Sequence, residues 1–257
     1  MAKLKNSIYL SLLFTILLTS CGSVRNTPIK MLTPLYAASI ADAAYPTMEE
    51  IVELTIISKD NPKLNWKTID GKYFLLVATW TNEKSAGYYP KEGIYNTKSY
   101  PIWVTAIPDL KERCDALKIG KSKDAPLRIK QLLGLPPTAD KGFFIEFWVQ
   151  PKDLFRPCPD NEINDGICGL CFPQDEADTD TTGEAVKIHR AWINQLRLDS
   201  YYNCKGDKYP WTQLGYTYDW HPRNKSHVGI SEFVIRANSD IYVNKIAATN
   251  DYLVIGH

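Results

Sequence analysis

The chain has 257 residues, 30 Lys+Arg against 29 Asp+Glu, 44% hydrophobic and 12% aromatic residues, and six cysteines. The apolar fraction is too high for a disordered chain, and a formal charge of +1 excludes a polybasic binder of nucleic acid or membrane surfaces. A domain of roughly 200–250 residues buries enough core to fold without metal or disulfide staples, so any cysteine pairing is a supplement.

Lys3 and Lys5 precede an apolar stretch from Ile8 to Leu18, far short of the ~20 residues that span a bilayer. This is the layout of a signal peptide over residues 1–20. It ends in Leu18-Thr19-Ser20-Cys21, which resembles the lipobox of bacterial lipoproteins: a branched apolar residue and two small residues before a cysteine. The resemblance covers the first 21 residues only. It implies cleavage before Cys21, acyl chains such as palmitate on that cysteine, and the membrane as a partner. Gly22 and Ser23 stand where inner-membrane lipoproteins carry a retaining Asp, which implies an anchor in the outer membrane facing the periplasm. Residues 21–34, polar and broken by Pro28 and Pro34, read as a flexible tether, with one globular domain over 35–257.

Within that domain, Pro46-Thr47-Met48-Glu49-Glu50 predicts a short helix capped by Thr47. Asp70-Gly71 between two apolar runs predicts a hairpin over 64–80, with Ile69 opposite Lys72 and Trp66 opposite Leu75. A strand follows at Tyr100 to Ile107, then helices over 109–117 and 124–133, the second with Asp124 as cap, Pro126 in its first turn and Gly134 as stop. Phe143 to Val149 reads as a strand and Gly183 to Leu198 as the longest helix. A second hairpin is expected over 230–247, turning at Ala237-Asn238-Ser239-Asp240 and placing Glu232 opposite Lys245. Hairpins and helices without βαβ alternation define the fold class as α+β with a largely antiparallel sheet.

An oxidising envelope makes disulfides the first reading of the cysteines beyond Cys21. The spacings favour Cys158–Cys168 and Cys171–Cys204 with Cys114 free. Cys168-Gly169-Leu170-Cys171 lacks the helix start that a redox pair needs, and a zinc site would leave Cys204 without a near partner. Asp178-Thr179-Asp180-Thr181-Thr182-Gly183 has the first half of a calcium loop, with Asp178, Asp180 and Thr182 as ligands. Its closing position is His189 rather than Glu, so no cofactor is expected beyond this Ca2+ candidate.

Tyr209, Trp211, Tyr216, Tyr218 and Trp220 concentrate flat rings with polar handles, which suits a surface for a ligand or an envelope partner. Tyr88, Tyr89, Tyr95, Tyr100 and Trp103 form a second group for the same surface. Core filling is the competing reading of both. His221, Arg223 and His227, with Glu232, form the most enzyme-like set: two histidines to share acid and base roles, an arginine to hold an anion, and a carboxyl raised by partial burial. That set would suit a metal-independent hydrolase acting on phosphodiesters, the one reading in which nucleic acid is a partner. Against it, His221 and His227 sit in a polar Pro/Asn/Ser run of the kind that makes solvent loops. The chain lacks a GxSxG elbow, a P-loop, a GxGxxG turn and an HExxH helix. The reading is therefore a lipid-anchored envelope protein that binds a ligand or partner through its aromatic-rich region; secreted hydrolase and structural envelope component are the alternatives.

Overall fold

Asp70 and Gly71 both adopt left-handed backbone angles, φ 48° and 72°. They join strands β1 (Trp66–Ile69) and β2 (Lys72–Thr81) in the expected register, Ile69 opposite Lys72 and Trp66 opposite Leu75. A computed structural model describes residues 29–122, 124–173, 183–204 and 206–253. The signal peptide, Cys21 and the calcium candidates Asp178, Asp180 and Thr182 lie outside the described residues.

The remaining strands are β3 (Gly93–Asn96), β4 (Ile102–Ala106), β5 (Phe143–Val149), β6 (Leu154–Phe155), β7 (Tyr216–Tyr218), β8 (Val228–Ser231), β9 (Phe233–Ile235) and β10 (Asp240–Ala248). The main sheet runs β3-β10-β5-β2-β4-β9-β6, with β1 added to β2, and its pairings are antiparallel; β7 and β8 form a separate pair. Helices α1 (Ile29–Ala43), α2 (Glu83–Ala86), α3 (Ile107–Ala116), α4 (Ala125–Leu132), α5 (Glu184–Arg197) and α6 (Thr249–Leu253) complete an α+β fold. The short helix expected after Thr47 is one 3-10 turn, Met48–Glu50, with the Glu50 carboxylate accepting from the Thr47 N–H at 2.6 Å.

Both faces of the sheet are buried because its central strands alternate two apolar sets. Leu75, Val77, Ile145 and Phe147 point to one side, with Val104, Phe233 and Ile235. Leu76, Ala78, Trp80 and Phe144 point to the other, where Ile107, Leu110 and Cys114 of α3 and Ala125, Ile129 and Leu132 of α4 cover them. None of the helices among the described residues is long and apolar enough to cross a membrane.

Three expectations are corrected. The tether does not extend to Pro34: α1 begins at Ile29, and Leu32, Tyr36, Ser39 and Ala43 are buried at helical spacing along one face. Two prolines in a short segment mask that period in the sequence.

The strands of the 230–247 segment form, but not as a hairpin. β9 is taken between β4 and β6, while β10 lies between β3 and β5. Between them Asn238, at φ 58°, donates to the Lys98 carbonyl, and the Ser239 N–H donates to the Thr97 hydroxyl at 2.9 Å, so the connection crosses over rather than turning back. Lys245 consequently faces Glu146, not Glu232.

Cys158 and Cys168 are bridged as expected, in a buried cluster with Leu54, Leu214 and Tyr216. Cys114 is a free thiol buried on α3. The second bridge is absent: Cys171 and Cys204 are both free and exposed. Phe172 is drawn inward beneath the Arg190 and Arg197 guanidinium groups, which leaves the preceding Cys171 facing outward.

Candidate functional site

The aromatic segment is folded into the protein rather than displayed on it. Helix α4 ends at Leu132 and is stopped by Gly134, at φ 65°, and its last carbonyls need partners. The segment supplies them: the Thr217 hydroxyl donates to Leu132 O at 2.7 Å, the Trp220 N–H to Gln131 O at 3.2 Å, and the Trp220 indole N–H to Leu135 O at 3.0 Å. The Trp211 indole donates to Pro157 O at 3.0 Å, the Tyr216 hydroxyl to Glu50 O at 3.0 Å and the Tyr218 hydroxyl to Asp42 at 2.6 Å. With each polar handle satisfied internally, Trp211, Tyr216, Tyr218 and Trp220 are buried, which corrects the expectation that they form an exposed binding face. Tyr209 alone of the five is open to solvent, at 40% exposure.

A cavity nevertheless lies beside them. β2 and β4 pair at only two positions, Val77 with Ala106 and Ala78 with Thr105. Beyond these β4 follows β9 instead, with Trp103 opposite Val234 and Val104 opposite Phe233. A cavity of about 600 Å³ opens in this fork. Its walls are Thr79–Thr81 of β2, Ile102–Thr105 of β4, residues 133–135 after α4, and the segment 209–211. Helix α5 ends in one π-helical turn, Leu198–Tyr202, which brings Asp199 and the buried Ser200 to the rim. Seven aromatic rings beyond Phe144 line the space: Trp80, Tyr89, Tyr100, Trp103, Tyr209, Trp211 and Tyr218. Members of both aromatic groups singled out in the sequence therefore meet; of the first group, Trp211 and Tyr218 contribute as buried wall and Tyr209 as a half-exposed ring, while Tyr216 and Trp220 do not line the space.

Glu232 lies between β8 and β9 and lines this cavity at 8% exposure. Its backbone N–H donates to Gly215 O at 3.0 Å, while its Oε1 is buried with no hydrogen-bond partner among the described residues. Alternation from the Val104–Phe233 pair puts its side chain on the same face as Trp103 and Thr105. Burial pushes the carboxyl up to about 8, so it carries its proton at neutral pH. Lys141 is the cationic residue among the described ones lining the cavity, and burial lowers its pKa. Sequence reasoning found Glu232 but not Trp80, Lys141 or Ser200, because nothing in their local patterns distinguishes a cavity wall from core.

The other three members of the enzyme-like set do not line this cavity. Asp219 organises their loop: its carboxylate receives both arms of Arg128 at 2.9 and 2.6 Å, the His221 N–H at 3.1 Å and the Asn224 amide at 3.1 Å. The Asp219 N–H closes the loop by donating to His227 O at 2.8 Å. His227, at φ 56°, stacks its ring on Tyr218 with centroids 4.8 Å apart. His221 Nδ1 accepts from the Arg223 N–H at 3.2 Å, and burial, aided by Arg128, lowers the imidazole pKa. Arg223 is exposed. His189 of α5 is a core-edge histidine whose Nε2–H donates to Cys158 O at 2.8 Å.

Among the described residues no three His, Cys, Asp or Glu side chains are placed to hold a metal ion. No protein-family model matches the chain, and none of the curated proteins or solved structures compared with it is significantly similar.

Proposed function

We propose that this chain is a lipid-anchored protein of the bacterial cell envelope, held at the outer membrane through acylated Cys21, whose α+β domain takes a small ligand into the cavity between β2 and β4. The observation that carries the reading is the cavity's composition: aromatic rings on several walls and, lining the same space, Glu232, whose Oε1 has no hydrogen-bond partner among the described residues. A volume of about 600 Å³ lies inside the roughly 300–1,000 Å³ common for small-molecule sites, which likewise combine apolar walls with a few convergent polar groups. Half-exposed Tyr209, Trp103 and the outer Tyr100 at the mouth leave the interior accessible, unlike a sealed packing defect.

The anchor and the cavity are tested separately. A Cys21→Ala variant is expected to move from the membrane fraction to the soluble periplasmic extract; continued membrane association would remove the lipid from the reading. For the cavity, titration with the neutral aromatic probe tert-butylbenzene is expected to change the fluorescence of Trp80 and Trp211 saturably. Trp103→Ala should weaken that binding roughly tenfold, the loss of about 1.4 kcal/mol of ring contact. No saturable change in the unmodified protein would overturn the cavity as a ligand site.

A further inference from the structure

The chemistry of the ligand can be read from what the cavity leaves unsatisfied. A carboxyl in an apolar wall stays protonated or finds a partner, since an isolated buried carboxylate is far costlier than a paired one. Glu232 is more than nine-tenths buried, and its Oε1 has no partner among the described residues. The other acids lining the cavity, Asp199 and Asp207, stand at the exposed rim, against Lys141 as the cation among the described lining residues. Three carboxyl groups to one ammonium oppose an anionic ligand. The rings of Trp80, Trp103 and Tyr209 line the same space, and an aromatic face prefers a cation electrostatically.

We infer that the ligand is an organic cation, an amine or quaternary ammonium with an apolar body, whose positive group sits between the Glu232 carboxylate and the neighbouring aromatic faces. This rests on the cavity being a ligand site. At neutral pH binding converts Glu232 from acid to carboxylate, so a proton leaves to solvent as the cation binds; at pH 9 the carboxylate is already formed and none is released. Burial alone holds this carboxyl in its neutral form. Lys141, Asp199 and Asp207 share the cavity, Tyr201 is coupled electrostatically to Glu232 from the π-helical turn, and Arg156 packs against Gly215 behind it.

The test uses two probes of matched shape, phenyltrimethylammonium and neutral tert-butylbenzene, with the full mature chain. Phenyltrimethylammonium does not titrate, so any pH dependence belongs to the protein. Its affinity is expected to exceed that of tert-butylbenzene at least tenfold at pH 9, and to rise at least tenfold between pH 6 and pH 9 as Glu232 gives up its proton. Tert-butylbenzene should show no such rise. Glu232→Gln should bring the ratio of the two affinities close to one and flatten the pH profile; a profile that persists in this variant would belong to Lys141 and overturn the role of Glu232. The profile in the unmodified protein needs no variant to fold. Equal affinities for the two probes would overturn the cationic ligand while leaving the cavity as a site, and binding of neither would overturn both.

Discussion

Glu232→Gln is expected to stabilise the folded chain, by an amount that grows as the pH rises from about 5 to about 8. Below the ordinary carboxyl range the side chain is protonated in both folded and unfolded states, and the variant gains nothing from the lost charge. Above it the unfolded chain ionises Glu232, while the folded chain, with the group raised from 4.5 to about 8 by burial, keeps the proton. Ionisation therefore favours unfolding progressively until the folded carboxyl also titrates, and the penalty then levels off. Each tenfold change in an ionisation equilibrium is about 1.4 kcal/mol, so the full difference is on the order of 5 kcal/mol. Urea denaturation of both proteins at pH 5 and pH 8.5 would measure it. A stability difference that is the same at both pH values would mean that the carboxylate is hydrated or paired in the folded protein.

Asp219→Ala should have the opposite sign and a comparable size. The carboxylate is almost fully buried and the Arg128 side chain is 13% exposed, so removing one partner leaves a guanidinium largely out of water. Such losses run to about 3–5 kcal/mol, well above those of surface ion pairs. The same change removes the acceptor that orders His221 and Asn224, so the loop 219–227 should lose protection along with the global stability. Hydrogen exchange at residues 219–227, read beside a thermal melt, checks both parts. Unchanged melting would show that Arg128 reaches solvent without its partner.

That loop explains why a catalytic pattern appears in the sequence without a catalytic arrangement in space. Asp, His, Asn and Ser close turns with their own side chains, and the same residue types perform proton transfer. Here Asp219 and Asn224 bind the loop to itself and to α4, and His227 takes a left-handed backbone angle to complete it. Glu232 differs because its Oε1 meets no hydrogen-bond partner among the described residues.

Local chemistry determined much of the fold. Asp70-Gly71 specified both the turn and the register of β1 on β2; Asp124, accepting from the Leu127 N–H at 3.2 Å, and Gly134 bounded α4; and the apolar run 143–149 became β5 with its expected ends. Each of these depends on residues a few positions apart. The lipobox resemblance at Leu18-Thr19-Ser20-Cys21 is local in the same sense and stands as an expectation about location. The partner of each strand is a different matter. Sequence proximity favours pairing β9 with β10, yet β4 competes for β9 and β5 for β10, and the apolar faces of both central strands are buried only in that order. Tertiary structure alone decided where the aromatic excess went: the carbonyls at the end of α4 drew Thr217 and Trp220 inward, and the parting of β2 from β4 left the remaining rings around Glu232. A ring is apolar wherever it sits in the chain, and only the packing of distant elements determines whether it meets another side chain or an opening.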